Sequence, residues 1–293
     1  MKLPSVPFAD FDPRTVPMSW TILSRFGKSA AHAKHAAWTG KTDAGTQAMK
    51  MGRGFHAVAL NQPYSIFTGK QRRGKDWDRH VSEHIEEHGE GAPILNPREH
   101  ALASAMAAAI RADYDAAPLI FGEGVRLEER IEWERGSRAM SSHVDFRKPG
   151  QWLGDLKGVK DGRPARYQQA GMWAGHHAQV CLYDEADAYD CEQRGVVREP
   201  EIPLYLVTVE WEPPHVVVVW KLDELAKDAG RRRIGTWWNE LQASEQTGIW
   251  PGYTLTIETF TAEEIDPDEV FAPVTDEDLD NSAPDEGAPD WSA

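Results

Sequence analysis

The sequence is poor in cysteine, holding only Cys181 and Cys191 among 293 residues. Two thiols cannot supply a four-thiolate zinc or iron–sulfur site, and they do not make a disulfide scaffold. Long apolar runs are also missing. No segment approaches the roughly 18 residues of a membrane span, and the first residues lack the apolar core of a signal peptide. A soluble, cytoplasmic chain with both thiols reduced is therefore expected. Basic residues are absent from residues 263–293, which hold twelve of the 47 acidic residues. Such a segment buries too little apolar surface to fold and is expected to be a disordered acidic tail. The tail accounts for most of the net charge of -15, so residues 1–262 are close to neutral. A polyanionic partner is not excluded, because local clusters of Lys and Arg, not the global charge, neutralise phosphates.

What is present divides into an N-terminal helical part and a mixed core. Residues 1–18 are Pro-rich and read as an extended arm. Helices are expected over residues 19–37, with Ser19 as N-cap, and over 42–60, 75–88 and 97–114, with a short strand at 64–68. The catalytic core is expected over 120–262, within one domain spanning 19–262. Runs at 125–134, 137–146 and 151–159 are of β type and are separated by Arg135-Gly136 and Lys148-Pro149-Gly150, both turn signals. They predict an antiparallel three-stranded meander. One long helix over 164–187, strands at 204–210 and 216–222, and a last helix over 223–244 follow.

The chemistry concentrates at the meander. Asp155 and Lys157 are two apart on the third strand and share a face, whereas Leu156 turns into the core. A tight hairpin brings Asp145, at the end of the second strand, beside them. Two converging carboxylates make a hard oxygen site suited to Mg2+ or Mn2+, and the adjacent ammonium can position water and offset phosphate charge. His56 closes a helix through Gly52-Arg53-Gly54-Phe55-His56. Glu128, Glu129 and Glu132 lie on the preceding strand, and Gln179 and Tyr183 share one helical face.

The order His56, Glu128, Asp145, Asp155-Leu156-Lys157 and Gln179-x-x-x-Tyr183 resembles that of the PD-(D/E)XK nuclease superfamily. More narrowly, the chain is similar to the exodeoxyribonuclease VIII (RecE-like) group of phages and prophages. Further points of likeness are residues 69–75, Ile131-Glu132-Trp133, residues 206–222 and residues 248–253. The resemblance implies a mixed α/β (α+β) fold with a restriction-endonuclease-like core, in which a central mixed sheet is flanked by helices. It implies a Mg2+- or Mn2+-dependent exonuclease digesting linear duplex DNA 5′ to 3′, which leaves a 3′ strand for recombination. It also implies a ring of three or four copies and a single-strand annealing protein as partner. By the same resemblance Asp145, Asp155, the Leu156 carbonyl and His56 bind metal, Lys157 activates water, and Gln179 and Tyr183 orient Lys157 or the DNA backbone. Glu128 is the upstream acid of choice, with Glu129 and Glu132 left open. Arg72, Arg73, Lys75, Lys160, Arg163 and Arg166 are candidates for DNA contact. Val144 stands where relatives commonly have Pro, and Gly158 where they commonly have Thr. The alternatives are a catalytically silent DNA-binding or assembly protein of the same fold, and a structure-specific endonuclease.

Overall fold

The computed structural model describes residues 6–40 and 47–253. The tail, and residues 42–46 of the second expected helix, lie outside them. Its centre is a six-stranded sheet. The strands are β1 (Met18–Ser19), β4 (Arg126–Arg135), β5 (Arg138–Lys148), β6 (Trp152–Val159), β7 (Leu204–Glu210) and β8 (Val217–Lys221), and β2 (Ser65–Ile66) pairs with β3 (Ile94–Leu95) elsewhere. The meander stands as expected: β4 and β6 are both antiparallel to β5. β7 runs parallel to β6 and β8 antiparallel to β7, so the sheet is mixed. The parallel step needs a crossover, and helices α7 (Pro164–Ala174) and α8 (His176–Arg194) provide it.

Helices cover both faces. On one side α1 (Trp20–Leu23), α2 (Ala30–Thr39), α7, α8 and α9 (Glu224–Thr247) bury Leu23, Ala30, Val144, Leu153, Tyr167, Leu182, Leu206 and Ile234. On the other, α3 (Gln47–Ala59), α5 (Pro97–Ala112) and α6 (Ala116–Phe121) bury Phe55, Met106, Ile120, Phe146, Leu156 and Val207. Helix α4 (Lys75–His88) leans on the β2–β3 pair, where Ser65 Oγ meets His80 and His84. Among the described residues, no helix is long and apolar enough to cross a membrane.

Several expected elements are divided. Ser19 does cap α1, accepting from the Ile22 amide at 3.4 Å. The helix then tightens into a 3-10 turn at Ser24–Gly27, and Ser29 caps a second start. Residues 164–187 are two helices because Gly175 takes φ +84, a left-handed conformation that ends α7. Residues 6–18 are not an extended arm. They form two 3-10 turns, at Phe8–Asp10 and Pro13–Thr15, and finish in β1. The Arg138 guanidinium donating to Pro13 O at 2.8 Å and the Trp38 indole donating to Val6 O at 2.8 Å hold them down.

Candidate metal centre

The site begins with a fault in the sheet. A regular strand would turn Val144 and Phe146 to the same face, yet Val144 lies in the α8-side core and Phe146 in the opposite one. The two strands lose their pairing there: Leu127 pairs with Phe146 and Glu129 with Val144, but no pair joins Glu128 to Asp145. Glu128 has φ +49, left-handed backbone that costs a non-glycine residue about 1–3 kcal/mol. On its other side, β5 stays paired to β6 only from Phe146 to Lys148, and β1 occupies the edge at Met140 and Ser141. The strands splay, and Asp145 Oδ2 accepts from the Leu156 amide at 2.6 Å, where a backbone carbonyl would stand in an unbroken ladder. The carboxylate thereby lies in the gap between the strands.

His56, in the last turn of α3, fills the other side of that gap. Its Nε2 is 2.8 Å from Leu156 O and its Nδ1 is 3.3 Å from Glu128 Oε1 and 3.7 Å from Asp145 Oδ2. His56, Glu128 and Asp145 each bring a ligand atom within 4.8 Å of the others. Of the three upstream acids left open by the sequence, only Glu128 enters this cluster. Glu129 is committed to Arg147 and Arg126, and Glu132 is exposed beside Arg130.

Asp155 and Lys157 project from β6 toward α8. Lys157 Nζ is 2.6 Å from Asp155 Oδ2 and donates to Gln179 Oε1 at 3.2 Å. Gln179 in turn donates to the Tyr183 hydroxyl at 2.7 Å. Burial pushes the Asp155 carboxyl up to about 7, and the neighbouring Asp145 charge adds to the push. Burial also raises Asp145, against the pull of His56 and Lys157. Burial works to lower His56, but the Asp145 charge and the Glu128 hydrogen bond outweigh it and raise the imidazole to about 9. Lys157 is likewise raised, its burial outweighed by Asp155 and Asp145, and is an ammonium at neutral pH.

The concentration of carboxylates in so small a space fits a hard divalent cation. Asp155 is 0% exposed, and the Lys157 ammonium at 2.6 Å is the one cation paired with it among the described residues. A buried carboxylate balanced by one ammonium alone is unusual enough to need an explanation. Three carboxylates, one carbonyl and one imidazole are the donor set of a hard divalent ion with some tolerance for nitrogen, as Mg2+ and Mn2+ are. Such an ion would rest on His56, Glu128, Asp145, Asp155 and the Leu156 carbonyl.

The remaining candidates are scattered. Lys160, Arg163 and Arg166 line an open groove of about 1120 Å³ between the start of α7 and the β7–β8 turn, with Trp173 on its wall. Asp161, Glu210 and Glu212 line it too, and Arg163 is paired with Asp161 at 2.5 Å. Arg72, Arg73 and Lys75 are not part of that groove. Arg72 bonds the buried Glu99 and the Ile94 carbonyl, which makes it a brace between α5 and β3. Arg147, which the sequence offers only as part of a basic cluster with Lys148, is instead fully buried two residues after Asp145. The sequence signal for it was that Asp187 and Asp190 continue the helical spacing of Gln179 and Tyr183.

No family model matches the sequence, and no curated protein does. Among solved structures, the chain is similar to a protein of Eubacterium rectale called "Putative exonuclease", with TM-score 0.56 and 11% identity over 91% of this chain and 99% of that one. The two share a fold. A phage related exonuclease from Haemophilus somnus 129PT aligns over 66% of this chain and 95% of its own, with 14% identity and a TM-score of 0.30.

Proposed function

We propose that the chain is a metal-dependent nuclease that hydrolyses phosphodiester bonds in linear double-stranded DNA from an end. The observation that carries this reading is the cluster of His56, half-buried Glu128 and buried Asp145 at the Leu156 carbonyl, with the buried Asp155 and its Lys157 partner beside it on β6. Bound there, a divalent cation would supply Lewis-acid stabilisation of the phosphate and a more acidic water. The protein's own groups do the rest. Lys157, as an ammonium, donates rather than accepts. It orients the attacking water and offsets the charge that grows on the phosphate oxygens. Gln179, anchored by Tyr183, limits the positions open to the Lys157 side chain. Asp145 fixes the Leu156 peptide through its amide, so that the carbonyl faces the cluster. The likeness in fold to a protein bearing an exonuclease description supports the same class of reaction.

The finer parts of the proposal rest on the sequence resemblance: 5′-to-3′ polarity, a ring of three or four copies, an annealing protein as partner, and Lys160, Arg163 and Arg166 as phosphate contacts. Duplexes labelled at one 5′ or one 3′ end, together with a closed circular duplex, test the end-dependent part. Mononucleotides released from the 5′-labelled end and an intact circle are expected with Mg2+ or Mn2+. Cutting of the circle at a comparable rate would replace the exonuclease with an endonuclease.

A further inference from the structure

Arg147 lies on β5 two residues beyond Asp145, is 0% exposed, and engages a carboxylate through each of its three nitrogens. Nε donates to Glu129 Oε2 at 2.7 Å, Nη1 to Asp187 Oδ1 at 2.6 Å, and Nη2 to Asp190. Asp187 also accepts from the Gly150 amide and from Arg198 Nε, each at 3.2 Å, and Arg194 joins Asp190 at 2.7 Å. With Arg126 on Glu129 and Arg198 on Asp184, four guanidiniums meet four carboxylates. Apolar side chains of similar volume would hold a helix on a sheet at least as well. What a planar, three-pronged guanidinium adds is direction, because its partners must sit in its plane at fixed points.

The two aspartates belong to the same stripe of α8 as the groups at the site. Gln179, Tyr183, Asp187 and Asp190 are spaced four, four and three residues apart, so they share one face of the helix, and all are buried. Gln179 at one end of the stripe holds Lys157, and Asp187 and Asp190 hold Arg147 about 12 Å and about 17 Å further along the axis, at roughly 1.5 Å per residue. A rigid helix pinned at one end transmits its register to the other.

We propose that Arg147 is a positioning residue: by locking Asp187 and Asp190 it sets the register of α8 against β5 and β6, and so sets where Gln179 holds the Lys157 ammonium. The kinetic consequence rests on the nuclease reading, whereas the geometric one does not. Arg147→Lys keeps the charge but offers one compact ammonium to three carboxylates. In a crystal structure of this variant the Lys157–Gln179 contact, 3.2 Å in the wild type, is expected to open beyond hydrogen-bonding distance. In DNA digestion kcat should fall about 10-fold or more, since small misplacements are costly in catalysis, while KM and the Mn2+ Kd stay within about threefold. Gln179→Ala alone should also lower kcat, and adding Arg147→Lys to it should lower kcat no further, because the route runs through Gln179. An unchanged Lys157–Gln179 contact in Arg147→Lys would overturn the proposal. So would equal fractional losses in both backgrounds, which denote general loosening. If Arg147→Lys does not fold, Asp190→Asn carries the same measurements with the Asp187 and Glu129 pairs retained. A wild-type protein inactive on DNA would overturn the nuclease reading alone, and the contact distances would still decide the clamp.

Discussion

At the scale of single residues, Glu128 gathers the most conflicting demands. Its backbone is left-handed, its carboxylate faces His56, and no ladder pair joins it to Asp145. Strain of this kind persists where a site requires it. Glu128→Gln keeps the strained backbone and loses the ligand charge, whereas Glu128→Gly loses both. Both variants should be inactive on DNA, with the Gly variant more stable than the Gln variant by about 1 kcal/mol in urea unfolding. Equal stabilities would mean that the left-handed backbone costs nothing. His56 at about 9 and Asp155 at about 7 carry a second consequence. Both sit above their ordinary values, so at neutral pH His56 holds its proton and Asp155 is about half protonated, and a metal must displace both. Mn2+ affinity should therefore rise from pH 6 to pH 9, by about tenfold per unit for each proton released, and calorimetry in buffers of different ionisation heat should show protons leaving. A pH-independent Kd across that range would contradict the proton-laden cluster.

At the level of elements, the meander and the placement of Asp145, Asp155 and Lys157 on it were legible in the sequence. The turns at Arg135-Gly136 and Pro149-Gly150, and the two-residue period that pairs Asp155 with Lys157, are local facts of the chain. The splay between β5 and β6 was not, because β1, distant in sequence, takes up the same edge of β5, and the left-handed backbone of Glu128 is nothing that a glutamate advertises. The break at Gly175 was readable as a glycine but not as a stop, since the Ala-rich sequence on either side favours helix equally. β1 and β3 are two residues each and owe their existence to neighbours far away in sequence. Gly158, where the family that the sequence resembles commonly has Thr, has an explanation in packing. A Cβ there would stand 2.4 Å from the Trp211 ring, a rigid group that is itself buried. Gly158→Thr should destabilise the protein by about 1–3 kcal/mol through overpacking, measured as a lower urea midpoint with unchanged slope. A neutral result would show that Trp211 can move away at no cost.

At the scale of the whole molecule, the polar groups buried away from the site decide how the fold responds to acid. His177 is 3% exposed, and its Nδ1 has no hydrogen-bond partner. Burial, reinforced by the Arg233 charge, lowers its pKa to about 4. Since the folded value lies below the ordinary one, the unfolded chain binds this proton first as pH falls. The stabilisation is complete above about pH 6.5 and is lost between there and about pH 4, at about 1.4 kcal/mol per unit. Against a His177→Gln variant, which lacks the titration, the wild type should lose relative stability by that slope over that window. Parallel stability curves would place His177 in contact with solvent.

If the acid cluster loads a metal and works together with the Lys157 ammonium on DNA, cleavage needs both. Linear duplex DNA is incubated with wild type and Lys157→Ala in Mn2+ and in EDTA, with Mn2+ binding to both proteins measured alongside. Lys157→Ala is expected to bind Mn2+ at least as tightly as wild type, because a buried cation beside the site is gone, and yet to cleave at least about 100-fold more slowly. EDTA should abolish cleavage by the wild type. Cleavage in EDTA, or a Lys157→Ala variant as fast as wild type, would contradict the account.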